Sequence, residues 1–296
     1  MTFTDESYAV AVDDYETLRQ ILPRFRQHHA WLRDADYYSY RISNHLPPGI
    51  GITKGVQRDY AVCALANKGC NTHAGIRLLT DAGDGDSAMV LTRVLLETAV
   101  VFRWIMLDLP FRLDLYCLST VLFKRRWTQL VQQHFSNQPD ILAKAQLTSE
   151  EAAVADAAFG NTAYRWARER QPNGKFSDYS IDAMLKDIEK AEANPSNAGF
   201  MYDVTYFMHS AHAHSTAEGV RHFKTLGRQQ FFTCELGFNR SECAIALGSA
   251  NNFLCWLLGE TCRYLGLAAV EAEFDAWFER MRTRQKAETQ SAAATT

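Results

Sequence analysis

Ala88-Met-Val-Leu-Thr-Arg-Val-Leu-Leu-Glu-Thr-Ala-Val-Val-Phe-Arg-Trp-Ile-Met-Leu-Asp-Leu109 is the longest strongly apolar segment of the chain. Its apolar residues fall on nearly every side of a helical wheel. A helix of that kind sits at the centre of a bundle or crosses a membrane. Arg93, Glu97 and Arg103 interrupt the run. Charges so placed are expensive in a bilayer, so the segment reads as a buried central helix and no membrane contact is expected.

The segments on either side read as helices too. Upstream, residues 54–81 carry Val56, Tyr60, Cys63, Cys70, Ala74 and Leu78 at helical spacing. Gly83 can take the left-handed position that ends this helix, and Asp86 can cap the next. Residues 13–46 also read as helical, with Pro23 either bending that stretch or opening a second helix within it. Downstream, Pro110 separates the central helix from one over about 111–135. Asn137 to Asp140 reads as a turn. Thr148 with Glu151 fits a capping box. Further helices are expected over about 180–191, 199–223, 240–265 (ended by Gly266) and 268–284. Only Phe231 to Phe238 has strand character.

The expected class is therefore all-α: an antiparallel helical bundle with a long buried central helix. The expected division is an N-terminal helical arm over 1–53, a bundle domain over 54–284 and a flexible tail over 285–296.

Composition agrees. Of 296 residues, 47% are hydrophobic and 22% charged, which excludes a disordered chain. Only 16 Gly and 7 Pro punctuate it. The net charge of −3 gives no global attraction to nucleic acid or anionic lipid. Met1 to Glu6 is polar, unlike the start of a secretory signal. The 7 cysteines form no Cys-x-x-Cys pair. Cys63/Cys70 and Cys255/Cys262 are spaced by two helical turns, as small packed residues would be. A reducing cytoplasm is the expected location.

Two polar stripes stand out. Arg93 and Glu97 lie one turn apart on the central helix and can pair. Trp104 continues that stripe. Tyr202, Tyr206, Ser210 and His214 are successive i, i+4 positions of a later helix. Hydroxyls and an imidazole facing a core must be hydrogen-bonded. If the stripes meet, His214 can move a proton, Ser210 can orient or attack, and Arg93 and Glu97 complete the centre. A buried polar network without chemistry is the competing reading.

His209, His212 and His214 suggest metal-ligand spacing, but only His209 and His212 converge easily on one helix. They form a weak alternative, and no cofactor is expected. Arg24 to His29 reads Arg-x-x-x-x-His, and Lys124-Arg-Arg-Trp127 is a basic cluster with an aromatic residue. Both are common by chance, and the second is best read as a solvated helix face.

Lys68-Gly-Cys-Asn-Thr-His-Ala-Gly-Ile-Arg-Leu-Leu79, Ala82-Gly83, Ala88 to Glu97, Trp104, Trp166 and the Tyr202–His214 helix together resemble a prokaryotic all-helical domain-of-unknown-function family, numbered five-six-seven-seven. The resemblance covers about residues 54–225. It implies a helical fold and a polar centre of Arg93, Glu97, Ser210 and His214, flanked by Tyr202, Tyr206, Trp104 and Trp166 as binding residues. It implies no activity. More distantly the chain is similar to HEPN-type helical domains, which include metal-independent ribonucleases of toxin and phage-defence systems as well as non-catalytic RNA- or nucleotide-binding members. Position 209 is His, so the Arg-x-x-x-x-His pattern of those nucleases is not completed at His214. The expected function is a binding or interaction protein, with an RNA or nucleotide ligand and a homodimer as its expected partners. The alternative is a HEPN-like ribonuclease.

Overall fold

A computed structural model describes residues 5–28, 54–149, 151–153, 156, 181–191, 223–225, 232–234 and 240–294. Within them the chain forms α1 (Asp5–His28), α2 (Lys54–Asp81), α3 (Gly85–Met106), α4 (Leu109–His134), α5 (Pro139–Ala145), α6 (Ile181–Ala191), α7 (Arg240–Leu265) and α8 (Ala268–Ala294). The fold is all-α. Its one sheet element among the described residues is a short antiparallel pair, β1 (Phe223–Thr225) and β2 (Phe232–Cys234), with Lys224 opposite Thr233. The strand character near Phe232 thus finds a partner at the place where the expected 199–223 helix was to end.

Glycine sets two of the helix ends. Gly83 (φ 82°) follows α2, and Gly83 N–H and Asp84 N–H donate to the carbonyls of Thr80 and Leu79. Gly266 (φ 69°) follows α7, with Gly266 N–H and Leu267 N–H donating to Arg263 and Cys262. Both close the last helical turn with the paired bonds that a left-handed residue permits. The cap of α3 corrects the expectation for Asp86. The helix begins at Gly85, so Asp84 is the residue whose side chain accepts from Ser87 N–H, at 3.0 Å. Asp86 lies inside the first turn instead.

The chain separates into two compact units, Met1–Arg103 with Asn194–Thr296, and Trp104–Ala193. In the first unit α1 packs on α7 and α8, α2 on α7, and α7 on α8. The reason lies in the sequence of α1. Ala11, Leu18, Ile21 and Phe25 make one apolar face and are all buried. Each large side chain so buried contributes roughly 1.5–3 kcal/mol. Phe25 meets Phe274 of α8 edge-on, with centroids 6.3 Å apart. Pro23 lies within the helix and starts no second one. Likewise α8 runs to Ala294, where a tail from residue 285 was expected. The Ala-rich end has high helix propensity even without an apolar face.

The second unit contains α4, α5 and α6. Pro110 sits in the first turn of α4, where its missing N–H costs nothing. Pro139 likewise opens α5, a short helix inside the expected turn. Thr128 Oγ1 donates to the Ala145 carbonyl and ties α4 to α5. The capping box is present: Thr148 N–H donates to Glu151 Oε2 at 2.9 Å, and Glu151 N–H donates to Thr148 Oγ1 at 3.1 Å. No helix among the described residues is long and apolar enough to cross a membrane.

Candidate functional site

Contacts around α3 define what each of its faces does. Towards α7, Thr92 Oγ1 reaches the Ala246 carbonyl at 3.3 Å, Gly85 abuts Glu242, and Arg103 pairs with Glu260 at 2.6 Å. Towards α2, the Leu91 and Leu95 side chains lie against Gly75 and Gly69. Arg93 and Glu97 occupy neither face. Arg93 Nε donates to Glu97 Oε1 at 2.9 Å, as the one-turn spacing predicts. Their side chains keep 20% and 34% of their full exposure. Val90, Val94 and Val101 share that side of the helix and are likewise only half-buried. The result is an ion pair set in an apolar strip that water still reaches.

Trp104 serves a different purpose. It is buried in the second unit, and its indole N–H donates to Asp187 Oδ2 of α6 at 3.1 Å. Arg112 of α4 lies over the ring, 4.9 Å from its centroid. It donates to the Trp104 carbonyl and stands 3.7 Å from Asp187. Buried indole N–H groups need such an acceptor. The interactions of Trp104 join α3, α4 and α6. Tyr202, Tyr206, Ser210, His214, Trp166, His209 and His212 lie outside the described residues.

A fully enclosed polar cluster was not among the expected site residues. His73 of α2 is 1% exposed. Its Nε2 lies 2.8 Å from Asn251 Oδ1 of α7, and Asn251 Nδ2 donates to the Ala11 carbonyl of α1 at 3.0 Å. A carbonyl only accepts, so the Asn251 amide must present its nitrogen to Ala11 and its oxygen to His73. The imidazole therefore donates from Nε2. Tyr15 of α1 stacks on the imidazole at 5.5 Å, and the Arg77 guanidinium lies over the Tyr15 ring at 4.6 Å. Arg77 is held by Asp81 at 2.9 Å. Burial lowers the pKa of His73 to about 4, against the raising effect of the Asn251 bond. The ring is neutral near pH 7 and sealed, which suits it to fastening three helices and not to moving protons for a substrate. The sequence did hold a signal: an Asn on the apolar stripe of α7 needs a partner.

The minor motifs resolve simply. Arg24 pairs with Glu273 of α8 at 2.7 Å, and Arg125 with Asp156 at 2.8 Å. Cys63, Cys70, Cys243, Cys255 and Cys262 form no disulfide among the described residues and are buried. Burial raises the thiol of Cys243 to about 11 and that of Cys262 to about 12. They are packing residues, not nucleophiles. No group of three or more His, Cys, Asp or Glu residues suited to a metal occurs among the described residues.

Residues 59–230 match the model of a family described as "Family of unknown function (DUF5677)". The chain belongs to this family. The matched segment includes most of α2, all of α3 and the second unit, whereas α1, α7 and α8 lie outside it. The family member here thus completes its first unit with helices from both ends of the chain. No curated protein and no solved structure matches it.

Proposed function

We propose that the chain is a binding protein whose ligand seat is the Arg93–Glu97 strip of α3. The ligand is RNA or a nucleotide, and the assembly is a homodimer. Arg93 contacts phosphate, Glu97 orients Arg93, and Ser210 and His214 complete the polar centre with Tyr202 and Tyr206 beside it. The observation that carries this reading is the half-open Arg93–Glu97 pair set among the half-buried Val90, Val94 and Val101 of α3. A pair kept only to fix helix register gains nothing from remaining accessible, while a ligand contact requires it.

The test is fluorescence anisotropy with short single-stranded RNA at two salt concentrations, beside a cleavage assay on the same RNA. The expected result is salt-sensitive binding without cleavage. Arg93→Ala weakens it by about tenfold or more, the usual worth of a charge-assisted hydrogen bond. Binding unchanged by Arg93→Ala sinks the proposal. Cleavage abolished by His214→Ala replaces it with the ribonuclease reading.

A further inference from the structure

The second unit turns large apolar side chains outward. Among the described residues, Phe111, Trp127, Leu130, Phe135 and Ile141 of this unit are exposed, against Leu78 and Phe278 elsewhere. Trp127 keeps 53% of its surface. Trp127, Leu130 and His134 share one strip of α4, being three and then four residues apart. Phe135 closes α4 with its N–H on the Val131 carbonyl, and Gln138 N–H donates to Phe135. That tight turn sends α5 back along α4, tied at Thr128 and Ala145, so Ile141 lies at the same end as the strip. The hairpin is also basic. From Lys124 to Ala145 it carries Lys124, Arg125, Arg126 and Lys144 against the single acid Asp140, a surplus of three positive charges in a chain whose net charge is −3. Of the acids that follow, Asp156 pairs with Arg125 at 2.8 Å and Glu151 accepts from Thr148 N–H.

We propose that the α4–α5 hairpin seats the chain on an anionic lipid surface, with Trp127, Leu130 and Ile141 entering the boundary between headgroups and acyl chains and the basic residues meeting the headgroups. Apolar side chains rimmed by charge mark a surface that meets a partner. Charge complementarity selects a negative one. A second copy is disfavoured, because a two-fold contact sets this positive face against itself. A single-stranded nucleic acid would stack its bases on Trp127, but Leu130 and Ile141 offer no flat face and gain nothing from it. Hydrocarbon rewards all three residues, and tryptophan favours the interface because its ring is apolar and its N–H is not.

The contact lies on a bilayer and does not cross it, in keeping with helices too polar to span one among the described residues. The interrupted run of α3 gave no reason to expect a membrane; the reason comes from α4 and α5 instead. Such binding adds buried apolar area to electrostatic attraction, and the second part weakens as salt screens it. The seat does not depend on the Arg93–Glu97 strip binding anything.

Co-sedimentation of the full chain with two kinds of vesicle tests this, one of phosphatidylcholine alone and one of phosphatidylcholine and phosphatidylserine in equal parts. Binding should be confined to the phosphatidylserine vesicles and should fall as salt is raised. Trp127→Ala should weaken it by about tenfold or more. Lys144→Gln should weaken it by about fivefold, the worth of one cation near an anionic surface. Both side chains are exposed, so neither change opens the core. Trp127→Phe should keep most of the binding but lose the vesicle-induced blue shift of tryptophan emission seen in the wild type. Absent binding, equal binding to both vesicles, or Trp127→Ala that binds as the wild type does overturns the proposal. So does either other occupant: a dimer that Trp127→Ala turns to monomer, or RNA binding that it abolishes while the vesicles are ignored.

Discussion

His73 and Arg93 are both polar residues on largely apolar helices of the same unit, and the molecule treats them in opposite ways. Around His73 the polar atoms are matched through Asn251 to the Ala11 carbonyl, and water is excluded. Around Arg93 the charge is matched by a neighbour on its own helix, and water is admitted. The first arrangement ties three helices together and would lose stability if any member were removed. The second includes a one-turn pair within α3 that keeps part of its surface in water. That contrast separates scaffold from site.

The largest effect is expected at the sealed group. Asn251→Leu leaves the His73 N–H and the Ala11 carbonyl buried without partners. Each orphan costs about 1–3 kcal/mol, so the loss should be roughly 2–6 kcal/mol in urea unfolding. His73→Leu added to Asn251→Leu removes one orphan and should restore part of it. A double variant that is less stable than Asn251→Leu alone breaks the account of His73 as a fastener.

Acid should act on the same group. The pKa of His73 falls from 6.5 to about 4 on folding. Between those values the unfolded chain binds a proton that the folded chain refuses, so stability declines as pH drops from 6.5 and levels off below about 4. The full decline is about 3.5 kcal/mol, taking about 1.4 kcal/mol per pH unit. Unfolding free energies at pH 7, 5.5 and 4 should trace it. The His73→Leu, Asn251→Leu double variant should lose this part of the slope.

These two regions also differ in how well the sequence announced them. The Arg93–Glu97 pair was legible because both partners lie one turn apart on a single helix, and helical spacing alone brings them together. The His73–Asn251 bond joins residues 178 apart. Periodicity marks each as lying on a buried face but cannot say which buried faces meet. The same distinction runs through the fold. The ends of α2 and α7 were readable from Gly83 and Gly266, because a left-handed turn is a local demand. The cap of α3 was misplaced by two residues, because Asp84 and Asp86 flank Gly85 and both suit the role. The docking of α1 on α7 and α8 was left open by the sequence, since its apolar face fits an arm and a core helix equally well until the partners are known.

The smallest effect on stability belongs to the open pair, and smallness is what the contrast requires. A partly exposed one-turn ion pair contributes about 0.3–0.5 kcal/mol. Glu97→Gln retains the side chain's shape and much of its hydrogen bonding, so it should shift the urea midpoint barely beyond error. Arg93→Gln should do the same. A loss above about 2 kcal/mol from either change would place Arg93 in the same structural class as His73. The half-open strip would then be a seam of the scaffold. A negligible loss, joined to weakened RNA binding, would mean that the pair is kept for what it contacts outside the chain.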